Sequence, residues 1–374
     1  MRILVLCYEY PPIGGGGGRV AQTVARGLVA RGHEVRVQTA ALGFRSSCEN
    51  DHGVSVFRTA SGRRAADTCR VYEMGTYCAT SLLPALRHIR EWKPDVIHAH
   101  FAVPTGALAL AVHLITKVPY VITAHLGDVP GGVPEQTALL FKLAGPLARR
   151  IWRRAAECTA VSSFVQHLAE KEYARSVTKI LNGIDTLGAP PAPPPHRPRR
   201  LIFVGRLSVQ KNPTFLIDAL ALSADSEWEL TIVGDGPLRN QVEQRIAAYA
   251  LGSRVKLRGW LDASDVQQQL ANSDVMVMPS LSEGLPVAAI EGLKHGLALA
   301  TTDIPGLRDV LDHGVNGLHS PIGDAKAFAA NITKLCGDDL LVATMRTASR
   351  TKAESFALPR IIDQYEATLA SAMT

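Results

Sequence analysis

The stretch "GAPPAPPPHRPRR" runs from Gly188 to Arg200 and places six prolines within its first eleven residues. Proline lacks a backbone N–H and locks φ, so this run enters neither a helix interior nor a central strand. It reads as a semi-rigid linker. What flanks it decides the fold. Upstream, "RILVLCYEY", "HEVRVQTA", "DVIHAH", "PYVITAH" and "ECTAVS" are short β-rich runs, separated by helical patterns such as "RVAQTVARGLVARG". Downstream the alternation restarts with "RLIFVGRL", "ELTIVGDG", "VKLRGW", "DVMVMPS" and "LALATTD". Strands alternating with helices give a doubly wound parallel sheet. The expectation is an α/β chain of two Rossmann-like domains: residues 1–187, a linker at 188–200, and residues 201–355. A final helix over about 356–374 is expected to pack back on the first domain. "SSCENDHG" and "SGRRAADTCR" read as loops of that first domain.

Composition agrees with a two-domain globular chain. The 374 residues are 47% apolar and 20% charged, outside the disordered class. Six cysteines, with no C-x-x-C among them, suggest neither a zinc site nor a disulfide framework, which fits a reducing cytoplasm. The longest apolar stretch, "ALALAVHLITKVPYVITA", is interrupted by His113, Lys117 and Pro119 and is too broken to span a bilayer. Residues 1–188 carry 22 Lys/Arg against 14 Asp/Glu, and a basic first half invites an anionic partner.

In open α/β sheets, ligands sit beyond the carboxyl ends of the strands. Four stretches there carry chemistry. Gly14–Gly18 follows the first strand, where glycine permits close backbone approach and a helix N-terminus favours an anion. The spacing is not a dinucleotide fingerprint, and no acidic residue ends the second strand to hold a ribose. In "FVGRLSVQKN", Arg206 and Lys211 sit just past a strand end, where two cations can hold a diphosphate without metal. No Asp-x-Asp appears to build a magnesium–diphosphate site. In "PSLSEGLPVAAIEGLKHG", Glu283 falls in a strand-to-helix turn and Glu291 within the helix. The pair suits a sugar-nucleotide site or, alternatively, a glycosidase acid and base. In "LLFKLAGPLARRIWRRAA", four arginines at 149, 150, 153 and 154 lie beside Leu147, Ile151 and Trp152. That pattern suits either an anionic bilayer surface or a packed helix with a solvated face.

The set "GRLSVQKN", "IVGDGP", "SLSEGLPVAAIEGL" and "TTDIPGLRDVLDHGVNGLHSP" resembles the retaining family 4 glycosyltransferases of GT-B fold. So do "GHEV", "DVIHAHF", "TAHLGD", "VSSF" and "NGID" in the first half. The likeness spans nearly the whole chain, and the family's E-x7-E pattern falls on Glu283 and Glu291. It implies two domains facing across a cleft and sugar transfer from a nucleotide diphosphate, UDP before GDP, with no metal or other cofactor. Arg206 and Lys211 would bind the diphosphate, Glu283 the donor sugar and Glu291 the ribose. Gly284, Leu285 and Pro286 would line the phosphate turn, with Gly259, Trp260 and Leu261 near the base. Gly15, Gly16 and Gly17 would close on the phosphate. His125 would face the donor sugar, with His100 and Asp128 on the acceptor side, while His98 is assigned to packing. Departures are Asp309 where the family often has Glu, and "EGLP" in place of a Phe-Gly ending. The implied acceptor is a carbohydrate or lipid-linked hydroxyl, with no nucleic acid, in a cytoplasmic protein, with peripheral contact on the membrane inner face as a further expectation. The alternatives are a sugar-nucleotide epimerase, a small-molecule glycosyltransferase, and a non-catalytic glycan- or nucleotide-binding protein.

Overall fold

A computed structural model describes every residue except Asp67, Val133 and residues 187–192, with the backbone alone across residues 134–143. The chain divides into two compact units, Met1–Gly183 with Leu358–Thr374, and Ile184–Ala357.

The first unit holds strands β1 (Arg2–Leu6), β2 (Glu34–Leu42), β3 (Ser47–Asp51), β4 (Val54–Arg63), β5 (Val96–His100), β6 (Tyr120–Ala124), β7 (Glu157–Ala160) and β8 (Thr178–Lys179). Its helices are α1 (Gly16–Ala30), α2 (Val71–Trp92), α3 (Thr105–Thr116), α4 (Pro134–Arg154) and α5 (Ser163–Tyr173). The sheet order is β3-β4-β2-β1-β5-β6-β7-β8, parallel except where β3 runs antiparallel to β4. Strands β5 and β6 are buried along their whole length, as central strands covered on both faces must be. The sequence order reverses between β1 and β5, so the loops after these two strands flank the crevice where such sheets bind ligands.

The second unit holds β9 (Arg199–Val204), β10 (Trp228–Val233), β11 (Val255–Gly259), β12 (Val275–Met278), β13 (Ala298–Thr302) and β14 (Gly317–Ser320). Its helices are α6 (Pro213–Ala221), α7 (Arg239–Ala248), α8 (Ala263–Ala271), α9 (Val287–Lys294), α10 (Ala325–Gly337) and α11 (Asp339–Ala353). The order β11-β10-β9-β12-β13-β14 is all parallel. This is the doubly wound order built from two βαβαβ halves, with its switch point between β9 and β12. Leu201, Phe203, Leu230, Ile232, Val275 and Val277 form the heart of its core.

The last helix, α12 (Leu358–Ser371), belongs to the first unit. It packs on α1, where Ile362 lies so close to Gly27 that a Cβ there would fall 2.4 Å from it. Asp363 pairs with Arg31 at 2.6 Å, and Glu366 meets His33 at 2.9 Å.

Three features differ from the sequence reading. "SSCENDHG" is not a loop but most of a hairpin, turning at His52 and Gly53, both at positive φ, with Asn50 Oδ1 accepting from the Gly53 N–H at 3.0 Å. Its first strand is a polar, exposed edge with no apolar alternation to announce it. The start of "SGRRAADTCR" likewise extends β4 through Arg63. Strand β9 begins at Arg199, inside the proline-rich stretch, because Arg199 pairs in register with Trp228. Of that stretch, residues 188–192 lie outside the described residues.

Candidate active site

At the switch point of the second unit, the loops after β9 and β12 are bound to each other. The Leu281 N–H donates to the Gln210 carbonyl at 2.8 Å, and Gln210 Nε2 donates to the Ser282 carbonyl at 2.9 Å. This brings Lys211 to Glu283, with Nζ 2.6 Å from Oε1. Ser280 donates its hydroxyl to the same oxygen at 2.7 Å. Glu283 is 5% exposed, so this carboxylate is held by a cation and a hydroxyl out of bulk water. The Lys211 stem lies along Gly205, where a Cβ would come within 3.5 Å of it.

Glycines allow the loops to pack this closely. Gly234 and Gly236 of the loop after β10 both take positive φ, and a Cβ would fall 2.0 Å from the Gly205 carbonyl and 2.6 Å from that of Leu207. A Cβ on Gly306 would fall 1.7 Å from the Glu283 carbonyl oxygen. The turn Pro305–Leu307 thus lies directly on the backbone of the glutamate. The Gly234 N–H donates to the Gly259 carbonyl at 2.7 Å, which ties the end of β11 to the same cluster. Beyond it, the Trp260 side chain is 62% exposed.

Helix α9 opens at Val287, with Pro286 as its N-cap residue. Gly284, Leu285 and Pro286 form the turn into that helix, where the first backbone N–H groups lack intrahelical partners. Such a terminus suits an anion. Glu291 is the fifth residue of α9 and is half-buried. Arg206 is also half-buried, in the loop that carries Lys211.

In the first unit the five glycines separate into distinct roles. Gly14 has φ +99°, and a Cβ there would strike Glu9 at 2.5 Å. A Cβ on Gly18 would meet the Glu9 carbonyl at 2.9 Å, and one on Gly17 would meet the Phe101 ring at 2.4 Å. Only Gly15 and Gly16 face open space. Gly15 is the N-cap position of α1 and donates its N–H to Glu9 Oε2 at 3.1 Å. Close backbone approach of a ligand is therefore free at Gly15 and Gly16, while the side-chain face of Gly17 is taken by packing.

The three histidines form a column. His98 Nε2 lies 2.7 Å from Thr123 Oγ1, and its ring is 4.3 Å from that of His100. His100 Nδ1 is 3.4 Å from His125 Nε2. Burial pushes His98 down to about 3 and His125 to about 4, and lowers His100 as well, so the column is neutral at pH 7. Asp128 accepts the His125 backbone N–H at 2.7 Å. Burial raises its carboxyl to about 8 despite that hydrogen bond. The sequence reading put His100 and Asp128 on the acceptor side. Both are buried, at 0% and 1% exposure, and both contact His125. His98 is fully buried, in keeping with packing.

Several residues at these sites carried little signal in the sequence. Ser280, Gln210 and Gly306 act through tertiary contact, and Glu9 and Phe101 shape the glycine turn. The spacing of Ser280, three residues before Glu283, was the one available hint.

Two family models match the chain, "Glycosyltransferase Family 4" over residues 14–186 and "Glycosyl transferases group 1" over residues 198–338. The chain belongs to the family 4 glycosyltransferases of GT-B fold, and it is a glycosyltransferase. It is 27% identical to the glycogen synthase of Mycobacterium tuberculosis, over 95% of this chain and 91% of that protein. In fold it resembles the sucrose-phosphate synthase of Thermosynechococcus elongatus, with a TM-score of 0.84 and 20% identity over 98% of this chain and 97% of that one. It also resembles Anabaena Alr3699/HepE in complex with UDP and glucose, with a TM-score of 0.76 and 22% identity over 99% and 100% of the two chains.

Proposed function

We propose that the protein transfers a hexose or N-acetylhexosamine, with retention of anomeric configuration, from a UDP-sugar to a hydroxyl of a carbohydrate or lipid-linked acceptor in the synthesis of a cell-surface glycan. The observation that carries this reading is the Lys211–Glu283 pair at the switch point of a doubly wound parallel sheet, buttressed by Ser280 on the same oxygen. A cation and a buried carboxylate on adjoining loops suit a diphosphate and the hydroxyls of the sugar it carries. The UDP and glucose bound by Alr3699/HepE support the choice of donor.

In the proposed step, the acceptor oxygen bonds to the anomeric carbon on the face from which the diphosphate leaves. The bond from that carbon to the diphosphate oxygen breaks, and the leaving oxygen takes the acceptor proton. Arg206, Lys211 and the N-terminus of α9 stabilise the charge that develops on the diphosphate, the largest contribution a protein makes to such a reaction. Two fixed cations supply that charge in place of a metal ion, so the reaction is proposed to run without one. Glu283 orients the sugar, Glu291 holds the ribose, and His125 meets the sugar as a neutral donor or acceptor.

Peripheral membrane contact is proposed through charge alone. In α4, Arg149, Arg150, Arg153 and Arg154 are exposed, but Ile151 and Trp152 are at 0% exposure, with Trp152 stacked on Tyr173 at 4.6 Å. Two of the three apolar residues that a bilayer would need are used in the core, and Leu147 is 47% exposed. No helix among the described residues is long and apolar enough to cross a membrane.

The test is turnover of radiolabelled UDP-sugars by the wild type and Arg206→Ala. Removing one charge-assisted contact of about 1.5–3 kcal/mol should lower kcat/KM by roughly tenfold to a hundredfold. Near-normal turnover with saturating donor would sink the assignment of the diphosphate site.

A further inference from the structure

Away from the strand ends that carry these residues, a groove of 570 Å³ runs beside α2 over the middle of β2 and β4. That volume lies in the range of roughly 300–1,000 Å³ typical of ligand sites. The parallel register pairs Gln38 with Phe57 and Ala40 with Thr59, so Arg36, Gln38, Phe57 and Thr59 share one sheet face. Arg87 and His88 of α2 complete the wall.

The groove is built for more than water. The Arg36 guanidinium lies 4.5 Å from the Trp92 ring and 5.7 Å from Phe57, with Nη1 3.3 Å from His88 Nδ1. It is half-buried, and its charge is felt by the Glu34 carboxylate, which hydrogen bonds from Trp92 and Arg2 also hold. Gln38 is at 0% exposure; its Nε2 bonds Thr59, and its Oε1 has no hydrogen-bond partner. Arg87 is exposed and meets Glu91 only at 3.8 Å. Burial and the neighbouring Arg36 keep His88 neutral, at about 4. Of the carboxylates nearby, Glu49 binds Arg58 at 2.6 Å, Glu34 takes hydrogen bonds from Trp92 and Arg2, and Glu91, which also lines the groove, is the partner of Arg87. Ser46 and Ser47 add hydroxyls along the rim, and Leu83, 75% exposed, adds an apolar edge.

We propose that this groove binds an acidic saccharide chain. Two guanidinium groups match carboxylates in planar, directional fashion, the exposed Ser46 and Ser47 hydroxyls meet sugar hydroxyls along the rim, and the apolar edge meets the C–H face of a ring. The site would tether a growing acidic glycan to the first unit while its end is extended elsewhere. This rests on the reading of the acceptor as a carbohydrate.

The test is calorimetric titration of the full-length protein with a short oligogalacturonate, with maltohexaose as the uncharged sugar and tripolyphosphate as charge without sugar. Arg87→Glu alters an exposed residue and spares the fold; Arg36→Gln removes the inner cation. Oligogalacturonate should bind, roughly tenfold or more weakly in each variant, and maltohexaose should bind much more weakly than the acidic chain. No binding of oligogalacturonate, equal binding by Arg87→Glu, equal binding of maltohexaose, or tripolyphosphate binding as tightly would each overturn the proposal. The melting shift given by UDP is read in the same samples. It should be unchanged in both variants, and its absence from the wild type would count against the donor reading instead.

Discussion

The Lys211–Glu283 pair makes a quantitative expectation. Lys211→Met keeps the aliphatic stem along Gly205 but removes the cation. Glu283 is then left 5% exposed with Ser280 alone on the oxygen that both groups shared. Breaking a buried pair costs about 3–5 kcal/mol, because the remaining charge is uncompensated. The Lys211 side chain is 19% exposed and Ser280 persists, so the lower end applies, about 3 kcal/mol. For a unit of this size that lowers the midpoint by about 6–12 °C. Adding Glu283→Gln removes the orphaned charge and should restore most of the loss, giving a favourable coupling in the double-mutant cycle. Thermal and urea melts read stability, and the UDP-induced shift reads donor binding. The double variant should regain stability without regaining the shift. A Lys211→Met melt indistinguishable from wild type, or strictly additive single-mutant effects, would refute the claim that this pair is a desolvated unit.

Other expectations follow from the same geometry. Gly306→Ala forces the turn Pro305–Leu307 off the Glu283 carbonyl, 1.7 Å from the new Cβ; displacement on the order of 1 Å should cost about a hundredfold in turnover, read by steady-state kinetics. Gly17→Ala meets Phe101 at 2.4 Å and should lose about 1–3 kcal/mol in a urea melt, whereas Gly16→Ala meets nothing within 4 Å and should melt like the wild type. The histidine column sets the sign of the acid response. His98 and His125 have depressed values, so the unfolded chain binds their protons first and their contribution is lost as pH falls from about 6.5 toward 4. Asp128 is raised to about 8, so its contribution falls as pH rises from about 4 to 8. Urea melts at a series of pH values should show His125→Gln flattening the acid slope, and Asp128→Asn steepening it, each by about 1.4 kcal/mol per pH unit.

The two sheets were legible because buried parallel strands such as "DVMVMPS" are short, apolar and bounded by turn residues. The hairpin at Ser47–Arg63 was not, because its polar edge strand owes its place to pairing with β4 rather than to burial. Lys211 and Glu283 stood out by chemistry and position after strands. Their supports did not: Ser280 and Gln210 are ordinary polar residues until two loops meet. The five glycines read as one loop, yet Gly16 to Gly18 are already helical, and three of the five are accounted for by Glu9 and Phe101. The basic segment of α4 was ambiguous for a physical reason. An amphipathic pattern is the same whether its apolar side meets lipid or core, and here Ile151 and Trp152 meet core.

The most direct measurement is the melting shift produced by UDP, GDP, ADP and dTDP, each in EDTA and in magnesium. A nucleotide at a hundred times its dissociation constant adds about 2.7 kcal/mol to the folded state. The proposal requires a shift with UDP in EDTA, reduced in Arg206→Ala to about 0.4–1.4 kcal/mol by a tenfold to hundredfold loss of affinity. No shift with any nucleotide, or a shift that needs magnesium, would contradict a diphosphate site built from Arg206 and Lys211.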